Sequence, residues 1–241
     1  MAFLFISRNN VHARYYKKLT RKLPLKSKVH CMGLPRFTAL KYFSKAKKVD
    51  FNKIIAEQLL RKQARNKLWK NPLIIKSYSA LMYLVERCRF AKYYDLLQSE
   101  SPQALVIWNG NKLPNVTVCM AAKALGVTTY FYENGLLPGT TSLDPKGINF
   151  AASVPRDSQS YLNFDPQRKL PFSAPDLIPR AAHKKRCKFD AIELPKKYLF
   201  VPFQVPHDTQ IACYSPWLKS MEEYYDAVVS AVKKLNDPEL K

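Results

Sequence analysis

Short uninterrupted apolar runs alternate with longer amphipathic stretches along this chain. Residues 2–6, AFLFI, form a run of the kind found in a strand buried on both faces. The polar turn Ser7, Arg8, Asn9, Asn10 then leads into a helical pattern over about 11–22. A second short strand is expected near 29–32. From 38 to 88 the pattern is mainly helical and heavily basic: in IIAEQLLRKQARNKLWK, Ile54, Ile55, Leu59, Leu60 and Leu68 keep one apolar face while Lys and Arg fill the other. Pro72 separates two of these helices, and a further helix runs from about 78 to 97.

The texture changes after residue 100. ALVIW, 104–108, reads as a buried strand, the polar turn NGNKLPN follows, and VTVCMAAKAL reads as a helix with Gly126 placed as its C-cap. VTTYFY is the next strand. Strand, helix and strand within about thirty residues predict a βαβ unit and a parallel sheet. Residues 136–195 show little periodicity and many prolines and read as loop with short helices. YLFVPF, 198–203, reads as another strand, with Pro202 arguing against a central position. A last helix over about 216–235 lines up Leu218, Met221, Tyr225, Val228, Val232 and Leu235. No internal repeat or low-complexity segment interrupts the series. The expected fold is α/β, a Rossmann-like parallel sheet flanked by helices. An N-terminal lobe over 1–195 carries a basic helical insert at about 38–98, and a second lobe starts at 196–241.

Composition sharpens this picture. The chain has 241 residues, 47% of them hydrophobic, enough to build a core and to set disorder aside. Its 40 Lys and Arg stand against 18 Asp and Glu, a formal net charge of +22 that favours anionic partners: nucleic acid, a membrane surface or a phosphorylated substrate. The five cysteines (Cys31, Cys88, Cys119, Cys187 and Cys213) form no CxxC pair and have no histidine at ligand spacing, which argues against a disulfide scaffold or a zinc site and for a reducing cytoplasm. The opening MAFLFISRNN lacks the basic region, long apolar stretch and cleavage site of a secretory signal. No run reaches the ~18–20 apolar residues that span a bilayer, so membrane contact is expected to be peripheral.

Candidate chemistry gathers at the expected strand ends, where parallel α/β sheets bind ligands. One end supplies Asn109, Gly110 and Asn111, another Glu133, Asn134 and Gly135, a third Gln204, His207, Asp208, Thr209 and Gln210; the first strand adds Ser7, Arg8, Asn9, Asn10 and His12. Each is ordinary alone, since Asn-Gly is a common turn dipeptide. Their recurrence at strand ends is what draws attention. Glu133 and Asp208 are the acid/base or nucleophile candidates, a pair suited to glycosyl transfer; a loop cap for Glu133 and a helix N-cap for Asp208 are the structural alternatives. His207 reads as a proton shuttle or a donor to a sugar or phosphate, and His12 as a ligand contact or a surface position. His30 and His183 lie among lysines and read as solvated surface. Gly139, Thr140, Thr141 and Ser142 offer hydroxyl and backbone N–H groups to an anion without any Walker or GxGxxG pattern. Asp144, before Pro145, reads as a turn former, and Arg156 as an anion ligand or a surface arginine.

WNG at 108–110, ENGLLPGTTSLDPKGIN at 133–149, SVPR at 153–156 and VPFQVPHDTQI at 201–211 together resemble the bacterial capsule polysaccharide biosynthesis family, and within it the retaining β-Kdo transferases of capsule and lipopolysaccharide assembly. The opening FISRNNVHARYY is similar as well. The likeness covers about 1–16 and 104–216 and leaves the basic insert out. It implies a two-lobed enzyme that takes Kdo from the nucleotide sugar CMP-Kdo by double displacement, with no other cofactor. Carried over by motif, Asp208 is the nucleophile and Glu133 the general base or acceptor-orienting residue, two roles that are interchangeable on this reasoning. The strand-end and loop residues expected to contact substrate are Asn10, His12, Asn109, Asn134, Gly135, Gly139, Thr140, Arg156, Gln204, His207 and Gln210.

A saccharide or glycolipid acceptor and the anionic inner face of the bacterial inner membrane complete the expected partners, both matched to a basic protein. No metal is expected, because the chain lacks a DxD triplet of the metal-binding type. The second lobe reads as cut short after the helix ending near Leu235, so completion by another polypeptide, or weak activity, is expected. A different class fits the same charge: a nucleic-acid-binding protein whose Lys and Arg track phosphates while Tyr and Trp stack on bases. Against it stands the absence of any DNA- or RNA-binding motif.

Overall fold

The computed structural model describes residues 2–34, 37–135, 137, 139–165, 193–205 and 208–237. Its centre is a five-stranded sheet of β1 (Phe3–Ser7), β2 (Ser27–Cys31), β3 (Ala104–Trp108), β4 (Thr128–Asn134) and β5 (Thr141–Asp144), in the order β2-β1-β3-β4-β5. The first four strands run parallel, and β5 returns antiparallel to β4. The α/β fold with a Rossmann-like parallel sheet, expected from the sequence, is what the chain adopts.

Alternation along each strand divides the core into two layers. Phe5 of β1 and Val106 of β3 face α1 (Asn10–Thr20), where they pack with the fully buried Tyr16 and with Val29, Trp108, Tyr130 and Tyr132. Leu4, Ile6, Leu105 and Ile107, each at most 2% exposed, point to the other face. On that face His30 of β2 meets Tyr93 of α3 (Pro72–Glu100) edge-on at 6.0 Å. Continuous apolar strands follow from this arrangement, because both faces are covered. Between α3 and α4 (Asn115–Ala124) lies a fully buried acid: Glu86 pairs with Arg89 and accepts a 2.5 Å hydrogen bond from Thr117 Oγ1.

Several expectations change. Pro72 opens α3 as its first residue, where its missing N–H is harmless, and Asn71 Oδ1 caps the turn by accepting from Leu73 and Ile74 N–H. The helix expected from 78 therefore starts six residues earlier. Within the basic stretch, Phe37–Tyr42 and Lys45–Lys48 form 3-10 turns before α2 (Phe51–Arg65), whose start is marked by Asp50 accepting from Lys53 N–H. The stretch 136–195 contains a strand, β5, in addition to the short helix α5 (Ser158–Leu162). No strand forms at 198–203, where Phe200 is 78% exposed and Pro202 supplies no ladder donor. His30 is half-buried rather than solvated; His183 lies outside the described residues.

Two compact units divide the chain. One comprises Met1–Ile55 and Tyr78–Ile178 and contains the sheet; the other comprises Ala56–Ser77 and Pro179–Lys241. In the second, a π-helical turn at Gln210–Tyr214 precedes α6 (Met221–Leu235). Helix α6 starts at Ser220, whose side chain accepts from Glu223 N–H, while the Glu223 carboxylate accepts from Lys219 N–H. Among the described residues no helix is long and apolar enough to cross a membrane.

Candidate functional site

From β1 the chain crosses through α1 to β2 on one side, while β3 lies on the other. That reversal of strand order opens a crevice at the carboxyl ends of β1 and β3, the place where open α/β sheets bind ligands. A cleft of about 240 Å³ occupies it, lined by Arg8, Asn9 and His12 after β1 and by Trp108, Asn109, Lys112, Leu113 and Asn115 after β3.

Each wall is fixed locally. Ser7 Oγ donates to Asn9 O at 2.6 Å, turning the chain out of the sheet, and Asn9 Oδ1 caps α1 by accepting from His12 N–H at 2.8 Å. The His12 ring then stacks on Trp108, with centroids 4.3 Å apart and planes 19° from parallel. Burial lowers the His12 pKa, and the nearby Glu133 charge opposes that shift only in part. Asn109 takes a left-handed backbone, φ 50°, which asparagine tolerates better than most residues. Gly110 follows because a Cβ there would come within 2.3 Å of the Phe131 ring. Asn109 Nδ2 donates to Glu133 Oε2 at 3.1 Å, and Asn115 Nδ2 donates to the carbonyls of Trp108 and Asn109.

Glu133 does not begin a loop, as the sequence suggested; it lies within β4, opposite Ser142 of β5. The antiparallel return of β5 extends the ladder through Asn134. Glu133 Oε1 accepts from Asn134 N–H at 2.9 Å, so both carboxylate oxygens are held. The hairpin uses the groups offered as an anion loop: Gly135 N–H donates to Thr140 O, Thr140 Oγ1 donates to Leu137 O, and Gly139 supplies φ 71°. Thr141 Oγ1 meets Tyr15 Oη of α1 at 3.1 Å. Asp144 is more than a turn former. It accepts from Lys146 and Gly147 N–H and, nine residues on, from Ser153 N–H and Oγ. Partial burial would raise its pKa, but the hydrogen bonds from Ser153, Lys146 and Gly147 overcome that and bring it down to about 2.

Of the remaining candidates, Asn10 is exposed at the start of α1, where its Oδ1 accepts a long 3.6 Å contact from Cys31 Sγ. Arg156 donates to the carbonyls of Asn149 and Phe150 and covers the Phe150 ring at 4.4 Å, the work of a loop clamp. Gln204, Asp208 and Gln210 belong to the second unit. Gln204 N–H contacts Met221 Sδ, and Asp208 Oδ1 accepts from Gln210 N–H at 2.8 Å, the capping arrangement given as its structural alternative. With no strand at 198–203, these residues do not sit at a strand end. His207 lies outside the described residues.

The structure thus brings His12, Asn109 and Glu133 together and adds Arg8, Trp108, Lys112 and Asn115, which are not among the substrate contacts expected from the sequence. Arg8 stood among the strand-end residues and Trp108 in the WNG motif, whereas Lys112 and Asn115 had no signal beyond their place in the turn after residue 108. Among the described residues no group of three or more His, Cys, Asp or Glu is placed to hold a metal ion. Cys31, Cys88 and Cys119 are free thiols. What the cleft offers is cationic donors, amide oxygens as acceptors and an aromatic wall, a set suited to polar ligands.

No family model matches the chain, and no solved structure does. Protein FixF of Sinorhizobium fredii (strain NBRC 101917 / NGR234) is 34% identical over 198 residues, covering 78% of this chain and 46% of that protein. The chain therefore spans a little under half the length of the curated relative it matches.

Proposed function

We propose that this chain is a glycosyltransferase of surface polysaccharide synthesis, capsule or lipopolysaccharide, that transfers Kdo from CMP-Kdo to a saccharide or glycolipid acceptor with retention. The observation that carries this reading is the Glu133 carboxylate, held by Asn109 at the carboxyl end of β4, next to the strand-end cleft of the β1–β3 reversal. In the proposed double displacement, the Asp208 carboxylate attacks the anomeric carbon of Kdo and CMP leaves. An acceptor hydroxyl, its proton taken by Glu133, then displaces Asp208 from the same carbon. Two inversions give net retention.

The formal charge of +22 supports an anionic donor and a peripheral station on the anionic inner face of the inner membrane. Incubation with CMP-Kdo and a Kdo-terminated acceptor, followed by intact-protein mass spectrometry, tests the scheme. A Kdo adduct is expected on the wild type and none on Asp208→Asn, with folding unchanged; Glu133→Gln is expected to suppress transfer. Full activity of Asp208→Asn would remove that residue from the mechanism. RNA binding with steep salt dependence and no response to CMP-Kdo would replace the reading by a nucleic-acid-binding one.

A further inference from the structure

The first half of helix α3 is apolar on two opposite faces. Over 72–85, PLIIKSYSALMYLV, its one charged side chain is Lys76. Ile74, Ile75, Tyr78, Met82 and Val85 share one side and are half-buried. On the other side, the 3.6-residue turn sets Leu73, Ser77, Ala80 and Leu84 in one row, with Leu81 and Tyr83 at its margins, and all six are exposed. Leu73 is 75% exposed, Leu81 60% and Leu84 47%. A helix that is apolar on both sides calls for cover on both, and this row faces water.

Charge selects the cover. Residues 58–85 contain Arg61, Lys62, Arg65, Lys67, Lys70 and Lys76 and no Asp or Glu. Lys67 and Lys70 stand in the 3-10 turn Lys67–Lys70 just before α3, together with the exposed Leu68. Lys67, Lys70 and Lys76 are all exposed, and none forms an ion pair among the described residues. A second copy packed row to row would set like charges side by side. A nucleic acid would satisfy the cations but leave the aliphatic row in water, because bases stack on aromatic side chains. An anionic bilayer meets both needs: headgroup phosphates pair with the lysines, and a row about 16 Å long lying along the surface enters the acyl boundary. Helix α3 is not long and apolar enough to cross the membrane instead.

We propose that the first half of α3, with the turn Lys67–Lys70, is the surface by which this protein docks on an anionic lipid bilayer, and that it holds there by inserting Leu73, Leu81 and Leu84 rather than by charge alone. The proposal rests on the peripheral station within the proposed function and adds to it a surface and a mode of attachment. The attraction of a +22 chain is spread over the molecule and fades with salt. An inserted apolar row is confined to one helix and keeps its hold when charge is screened.

Co-sedimentation of the full chain with vesicles of phosphatidylethanolamine and phosphatidylglycerol, at about 0.15 M and about 0.5 M salt, tests it. Wild-type binding is expected to persist at the higher salt. Replacing the row, Leu73→Gln with Leu81→Gln and Leu84→Gln, alters no charge and no buried residue and is expected to weaken binding about tenfold or more at both salts. Lys67→Gln with Lys70→Gln and Lys76→Gln is expected to weaken it about tenfold or more at the lower salt, whereas the same loss of charge from α1, Lys17→Gln with Lys18→Gln and Lys22→Gln, changes it less than about threefold. Binding indifferent to the leucine replacements, or lost by the wild type at the higher salt, would overturn the inference and leave a peripheral protein held by diffuse charge. A dimer in lipid-free buffer that the leucine replacements dissociate would overturn it by assigning the row to a second copy. No binding to the vesicles would remove the inference and the peripheral station together, leaving Kdo transfer to its own assay. Insertion without any Kdo adduct would keep this inference and sink the transfer scheme.

Discussion

The two units of the chain handle apolar side chains in opposite ways. In the sheet-bearing unit, Leu4, Ile6, Leu105, Ile107, Phe90, Tyr93 and Val118 are all within 2% of full burial, and even a carboxylate, Glu86, is enclosed with its partners. Among the described residues of the second unit only Leu59 and Thr209 are buried, whereas Phe200, Phe203, Trp217, Tyr225 and Leu235 are at least half exposed. Helix α6 shows why the contrast is informative. It has an N-cap serine, two acids in its first turn, lysines in its last and an amphipathic pattern, yet none of its residues is buried. Local signals suffice to write a helix; burial of its apolar face is a separate requirement that only tertiary packing meets. The contacts it does make, Phe203 against Tyr224 at 5.8 Å and Met221 Sδ at Gln204 N–H, lie near its N-terminal end.

The contrast can be broken by substitution. The largest effect is expected for Glu86→Ala, which leaves Arg89 and the Thr117 hydroxyl without their buried partner and should cost about 3–5 kcal/mol in chemical denaturation. Leu105→Ala removes a side chain with no exposure from the sheet core and should cost about 2–5 kcal/mol. Asp144→Asn is expected to cost about 1 kcal/mol at neutral pH, since the carboxylate is partly solvated.

The same substitution has a pH signature. The Asp144 carboxyl is depressed from 3.8 to about 2 in the fold, so its contribution is complete above about pH 4 and is lost as the pH falls through 2. Wild-type stability should therefore drop more steeply than that of Asp144→Asn between pH 4 and 2. Phe203→Ala in the second unit should be smallest, about 0.5–1 kcal/mol, the worth of one exposed aromatic pair. A Phe203→Ala cost matching that of Leu105→Ala would erase the distinction between the units.

How much could be read in advance follows the same division. ALVIW predicted β3 because an unbroken apolar run between turns has one good use, a strand covered on both faces, and the structure provides both covers. YLFVPF carries the same signal and forms no strand, for the run alone does not say whether a neighbouring strand exists to pair with it. Strand β5, TSLD, was missed for the reverse reason: it is an exposed edge with hardly any apolar residue, announced only by the turn formers Gly135 and Gly139 before it. At the cleft, His12, Asn109 and Glu133 were visible because polar residues after apolar runs stand out. Asn115 was not. In sequence it is merely the last residue of the turn NGNKLPN, and its grip on the carbonyls that end β3 exists only once α4 has folded back on the sheet.

The order of strands also has a bearing on how the molecule behaves in a crowd. Its two outermost strands are β2 and β5, the positions where a second chain could add itself by backbone pairing. β2 carries Lys28, whose ammonium pairs with Glu100 of α3, with exposed Lys26 just before it, and β5 is only four residues long and runs into Pro145, which has no N–H to offer. Charge at one border and brevity at the other both disfavour edge-to-edge pairing with a second chain.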